Sequence, residues 1–159
     1  MTGLFHPLLF AALLGSGLVG GVFFAFSTFV MAGLARLPVQ SGVTAMNAIN
    51  VTAVTPAFMS LLFGTALVCL AIAVLAVVNW NLEGARYALA GAVLYLAGVI
   101  LVTIFFNVPL NDQLAAAAPG SPAEAELWKH YLGAWVGWNH LRTVAPVASI
   151  ALFFLAMRG

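Results

Sequence analysis

The sequence predicts an all-α integral membrane protein, a bundle of four transmembrane helices with little soluble structure, and three observations carry that prediction. The 159-residue chain is 64% hydrophobic and only 6% charged, against roughly 25% charged residues in a typical soluble domain. Its apolar residues gather into four segments, each matching or exceeding the roughly 20 residues needed to cross about 30 Å of hydrocarbon. Those segments are apolar on every face rather than along one stripe, so lipid is the solvent they require.

The first span is expected over about Phe5 to Ala35, long enough to tilt or to run beyond the bilayer, and it ends at Arg36, Leu37 and Pro38. Its N-terminal part lacks the basic stretch of a secretory leader, and the uncharged run from Pro7 to Ala35 reads as a retained helix. Over residues 41–50, Val43, Met46 and Ile49 recur at three-residue spacing, which predicts a short helix lying on the membrane or capping the bundle. A second span over Thr55 to Val78 leads into a tight turn at Asn79 to Ala85, where Trp80 suits the interfacial aromatic belt.

The third span is expected from Arg86 to Asn107 and the fourth from Gly133 to Met157. Between them a polar loop over 108–132 holds Asp112, Glu124 and Glu126, three of the four acidic residues. Ser121, Pro122 and Glu124 form a capping box, so a helix opens there and runs into the fourth span. An even number of spans puts both termini on one side of the membrane. Arg86 and Arg158 then lie on that side and Arg36 and Lys129 on the other, which leaves the positive-inside count level. The two arginines that directly flank their spans favour cytoplasmic termini and a multi-pass protein of the cell membrane.

Several function classes are excluded or disfavoured. A net charge of +1 with scattered charges offers no basic patch for nucleic acid. The single cysteine, Cys69, lies in an apolar run, which rules out an intramolecular disulfide framework and multi-cysteine zinc sites and suits simple packing. No internal repeat is evident. Two small-residue pairs, Gly17 with Gly21 and Gly133 with Gly137, are expected to let helices approach closely.

Polar residues at membrane depth are costly, about 2.5 to 3.5 kcal/mol for an arginine or lysine at the helix centre, so each calls for a reason. One group is Asn107, Pro109 and Asn111. If the helix continues through Pro109, the two amides share a face; if it breaks, they cap its end. A second group is Trp128, His130, Tyr131, Trp135, Trp138, Asn139, His140, Arg142 and Thr143. At 100° per residue, Trp128, Tyr131, Trp135, Trp138 and Arg142 form one stripe, suited to an interfacial belt. His140 falls with Gly133 and Gly137 and is expected to face a neighbouring helix. Arg142 reads either as an anchor that snorkels to the headgroups or as part of a site. His140 reads as a packing residue, a proton carrier or a ligand for haem or metal. With no carboxylate nearby in sequence, one histidine is a weak metal signal.

These pieces form a recognisable combination: Gly21-Val22-Phe23-Phe24-Ala25-Phe26-Ser27, Met46 to Asn50, Asn107-Val108-Pro109-Leu110-Asn111, and Trp135 through Arg142 with its Trp-Asn-His-Leu-Arg core. Together they resemble the anthrone oxygenase-like family of small four-helix membrane proteins, over nearly the whole chain. The resemblance implies oxidation of polycyclic anthrones to anthraquinones with dioxygen, and it places Asn107, Asn111, Asn139, His140 and Arg142 on the family's polar positions. Fold follows from family membership more firmly than reaction does.

Chemistry read from the residues agrees in outline. Oxidising a methylene next to an aryl ketone needs proton removal and stabilisation of the resulting enolate, which can then pass an electron to dioxygen. His140 is the expected base, with Arg142, Asn139 and the other amides as stabilisers. Asn107, Asn111, Phe23, Phe24, Phe26, Trp135 and Trp138 are the expected walls for a flat lipophilic aromatic molecule entering from the bilayer. Two alternatives stay open: a haem or metal protein ligated through His140, and a non-catalytic subunit of a homo-oligomer or larger membrane complex.

Overall fold

A computed structural model describes residues 4–158, and five helices account for nearly all of them. Four are long and apolar enough to cross a membrane: α1 (Phe5–Leu34), α3 (Pro56–Val78), α4 (Ala85–Ala116) and α5 (Pro122–Met157). The fifth, α2 (Val39–Thr52), is the short helix expected between the first two spans. In the bundle α1 packs on α3 and α5, and α4 packs on the same two helices, which closes a four-membered ring.

Local sequence explains the boundaries. Thr55 caps α3 by accepting from the Phe58 N–H at 3.2 Å, with Pro56 in the first turn. The α3–α4 turn reverses at Gly84, whose φ of 80° a side chain would resist and whose α-carbon lies against the Ala156 carbonyl. Ser121 caps α5 through the Glu124 N–H at 3.1 Å, while the Glu124 carboxylate accepts from the Gly120 N–H at 2.7 Å. That is the predicted capping box, with the Glu124 carboxylate accepting from the residue before the cap instead of from the cap itself.

The expected polar loop over 108–132 is mostly helix. Only 117–121 is irregular. Helix α4 runs straight through Asn107 and Pro109 because its winding changes first: Leu96–Leu101 and Thr103–Asn107 are π-helical, with the Val102 N–H bonded to the Ala97 carbonyl and the Val108 N–H to the Thr103 carbonyl. Wider winding just before the proline accommodates a ring that would collide with the carbonyl four residues back in a regular α-helix. Phe26–Val30 in α1 is π-helical too.

At about 1.5 Å per residue, the 36 residues of α5 span about 54 Å, well beyond a hydrocarbon core of about 30 Å. The surplus lies at the end away from the termini. There the far halves of α1, α4 and α5 gather with α2 around a second core of Met31, Val43, Met46, Leu110, Leu114, Trp128, Tyr131 and Trp135. The first core, containing Leu9, Val19, Cys69, Ile72, Tyr95 and Phe153, fills the membrane half. At the terminal end Arg86 lies over Trp80 at 5.6 Å and Arg158 over Phe154 at 6.0 Å, both suited to the interface.

Close helix approach uses other glycines than the expected pairs. A Cβ on Gly20 would meet Pro146 at 3.2 Å, one on Gly91 would meet Phe153 at 2.8 Å, and one on Gly98 would collide with the Ala145 methyl. By contrast Gly21, Gly133 and Gly137 face open space, and Gly17 only touches Ile150 at 3.8 Å. The small-xxx-small spacing was present, but it marks the outer surface of the bundle. We therefore expect Gly98→Ala to destabilise the detergent-solubilised protein by about 1 to 3 kcal/mol through overpacking. Gly137→Ala should be neutral or slightly stabilising through its better helix propensity. Thermal unfolding followed by circular dichroism compares the two directly.

Candidate functional site

The site lies where the two cores meet, and it is built around Arg142. This residue is 5% exposed. Its Nη2 donates to Asn139 Oδ1 at 2.8 Å and its Nη1 to Thr103 Oγ1 at 3.3 Å, while Nε is buried without a partner. Both partners are neutral. None of the four carboxylates faces it: Glu83, Asp112 and Glu126 are exposed, and Glu124 is committed to its cap. The guanidinium lies between two aromatic faces, 4.4 Å from the Phe23 ring centroid and 4.9 Å from that of Trp135. Cation–π attraction in a desolvated setting, about 2 kcal/mol per good pair, supplies part of what a counter-ion would give.

Asn139 is the residue that fixes the arginine. Its Nδ2 donates to the Phe23 carbonyl and to Ser27 Oγ, both at 2.8 Å, which leaves Oδ1 for Arg142. Because a carbonyl can only accept and a guanidinium can only donate, the orientation of this amide is set by chemistry. The Phe23 carbonyl also accepts from the Phe26 N–H, where the winding changes, and its second lone pair takes the amide of Asn139. Thr143 Oγ1, 2.9 Å from Ser27 Oγ, closes this contact between α1 and α5.

The amides of α4 meet α5 one turn further from the membrane centre. Asn107 Nδ2 donates to the Trp135 carbonyl at 3.1 Å. Asn111 Oδ1 accepts twice at 2.8 Å, from Tyr131 Oη and from Trp135 Nε1. An indole N–H is only a donor, so Asn111 must present its NH2 elsewhere. Along α5, Trp128, Tyr131 and Trp135 stack at 5.6 and 5.7 Å with near-parallel rings, and Arg142 continues the column.

A cavity of about 160 Å³ opens beside these groups, lined chiefly by Phe23, Phe26, Met46, Phe58, Trp135 and Arg142, with Asn50, Thr103 and Asn111 as its further polar contacts. Val22 and Val54 also line it and are 36% and 69% exposed, so on that side it borders the exterior. Four buried polar atoms without partners belong to this half of the molecule: Arg142 Nε, Asn107 Oδ1, Asn50 Nδ2 and Asn47 Oδ1. Buried polar groups are normally satisfied, and two of these residues, Arg142 and Asn50, line the cavity, which suits a polar ligand.

The sequence-predicted residues divide. Arg142, Asn139, Asn107, Asn111 and Trp135 come together as expected, and the Trp128 to Arg142 stripe is real, but it faces inward instead of forming an interfacial belt. The inward placement of His140 is corrected: with Gly133 and Gly137 it lies on the exposed outer face of α5. A haem or metal on His140 would therefore hang outside the bundle, and among the described residues no three His, Cys, Asp or Glu side chains converge. Phe24 also points outward at 56% exposure, and Phe23 takes the wall position. Trp138 stacks on Phe106 at 3.7 Å and does not line the cavity. Sequence reasoning passed over Thr103 and Asn50, although Asn50 stands in the Met46 to Asn50 motif.

Fold and site together define a class, a four-helix membrane protein with a cationic, aromatic-walled cavity near one end of its spans. A family profile described as anthrone oxygenase matches residues 56–152, more than half of the chain, and the chain belongs to that family. Comparison with curated proteins and with solved structures gave no match.

Asn139→Ala should be more damaging than loss of the charge it serves. Removing the amide leaves a buried guanidinium donor unsatisfied, at about 1.5 to 3 kcal/mol, whereas Arg142→Met removes charge and need together. The expected outcome is a large loss of thermal stability in Asn139→Ala that is partly recovered in the Asn139→Ala/Arg142→Met double variant. A double-mutant cycle on detergent-purified protein measures it.

Proposed function

We propose that the protein is a membrane-embedded oxygenase that oxidises a lipophilic aromatic substrate of the anthrone type with dioxygen. The observation that carries this reading is Arg142, a buried cation without a counter-ion on the wall of a largely apolar, aromatic cavity. Membership of the anthrone oxygenase family supports the same reaction.

The chemistry places its demands in one spot. Loss of a proton from the methylene of an anthrone puts negative charge on the ketone oxygen of the enolate. An arginine held in advance by Asn139 and Thr103, in a site with little water, stabilises charge that develops there without reorganising. One electron passes from the enolate to dioxygen, and the radical and superoxide combine at the former methylene carbon. The peroxide takes up a proton, then loses water as its remaining C–H proton leaves and the O–O bond breaks, which turns the carbon–oxygen bond into a second carbonyl. In sum one anthrone and one dioxygen give one anthraquinone and one water.

Size sets how the substrate lies. A dry apolar cavity of about 150 Å³ holds benzene, so the enclosed space accepts about one ring of a fused system. The remaining rings extend past Val22 and Val54 toward lipid, the phase from which such a molecule arrives. On this reading the working protein is a multi-pass component of the cell membrane, with the bilayer as its substrate reservoir.

Purified protein in a non-ionic detergent, given anthrone in air-saturated buffer, should form anthraquinone with equimolar oxygen uptake. Arg142→Met should lower kcat/KM by about 100-fold or more, the usual loss for one oxyanion donor. His140→Ala should stay near wild type, since this side chain faces outward. Equal turnover in the Arg142 variant and the wild type would sink the proposal.

A further inference from the structure

Among the described residues that line the cavity, only Arg142 is ionisable. Among the described residues, no histidine, carboxylate, lysine or cysteine of α1, α2, α3 or α4 lines it. From α5, Tyr131 stands behind Asn111 with its hydroxyl committed there at 2.8 Å, and His140 points out of the bundle. A site designed to remove a proton needs an acceptor within hydrogen-bond reach of it. This cavity offers donors: the Arg142 guanidinium with its free Nε, the Asn50 amide and the NH2 of Asn111.

We infer that the cavity takes its substrate as a ready-made oxyanion, the enolate or phenolate of a fused-ring aryl ketone or phenol, and that oxidation proceeds without a protein base. The inference rests on the oxygenase reading for its reaction but not for its binding step. The proton is lost to water at the membrane surface, the anionic oxygen docks on Arg142, and the electron-rich ring then donates to dioxygen as above. The substrate class follows: a flat lipophilic molecule acidic enough to populate its anion near neutral pH. An anthrone with additional hydroxyl groups that stabilise the enolate qualifies better than the bare ring system.

The binding step can be tested without turnover. The probe is 2-hydroxyanthraquinone, a flat phenol with no methylene to oxidise, whose phenolate absorbs at longer wavelength than the phenol. An apolar cavity without a usable cation raises the midpoint of this titration, and one that pairs the anion lowers it. With the wild-type protein in a non-ionic detergent, the midpoint should fall by at least one pH unit relative to the same detergent alone, a tenfold preference for the anion. Arg142→Met should abolish the fall and Arg142→Lys should keep part of it.

A raised or unmoved midpoint, absence of binding, or a fall that survives in Arg142→Met would each overturn the inference. If the Met variant does not fold, a second measurement decides. The pH dependence of wild-type turnover should move with the acidity of the anthrone supplied, and a profile fixed across anthrones of different acidity would point to a protein base and overturn it. The two readings fail separately. A lowered probe midpoint without quinone formation removes the oxygenase and keeps the anion site, whereas quinone formation with an unlowered midpoint removes this inference alone.

Discussion

A guanidinium buried at membrane depth with no carboxylate to meet it is the constraint around which the far half of the bundle is arranged. Leaving such a charge unpaired is among the larger penalties a fold can carry. Here it is met by many modest contributions: one amide, one hydroxyl and two aromatic faces. They come from three helices. Asn139 and Trp135 lie on α5, Phe23 on α1 and Thr103 on α4, so satisfying one side chain fixes three helices relative to one another. The π-helical stretches in α1 and α4 fall beside those contacts, next to the Phe23 carbonyl in one case and just before a proline in the other.

Packing divides the labour between two cores. Small residues let α1, α3, α4 and α5 approach closely in the membrane half, with Gly98 against Ala145 and Gly91 against Phe153. In the other half large aromatic rings fill wider space, and α2 closes the top through Gly42, Val43 and Met46. The cavity occupies the change from one packing style to the other. Tightly meshed small residues leave little room, and stacked indoles leave irregular gaps, so a void at the junction is what this sequence produces.

Much of this was legible from residues alone, and the failures share one cause. Span number, the cap at Ser121, and the inward pull of Asn139 and Arg142 follow from apolar run length, turn chemistry and the cost of polar groups in lipid. Rotation of each helix did not follow. In a soluble protein the apolar stripe faces inward, but in α1 and α5 lipid-facing and core-facing residues are equally apolar, so periodicity grouped His140 with Gly133 and Gly137 correctly and then assigned the group to the wrong side. The better signal was the aromatic stripe that ends on Arg142, because a buried cation must point at its partners. Helical continuation through Pro109 was weighed but could not be chosen, since the π winding that permits it leaves no mark in composition.

The length of α5 has a bearing on where the cavity sits in the bilayer. Counting back from Met157, Arg142 stands about 22 Å along the helix at 1.5 Å per residue, from an end anchored by Trp80, Arg86 and Arg158. Unbroken helix makes that distance a fixed ruler, whereas hydrocarbon thickness varies among membranes from about 27 to about 33 Å. In a thin membrane the guanidinium comes within a few ångströms of the opposite headgroups, and in a thick one it lies deeper by the whole difference. Lipid composition thereby sets the dielectric around a charge that the protein itself holds still.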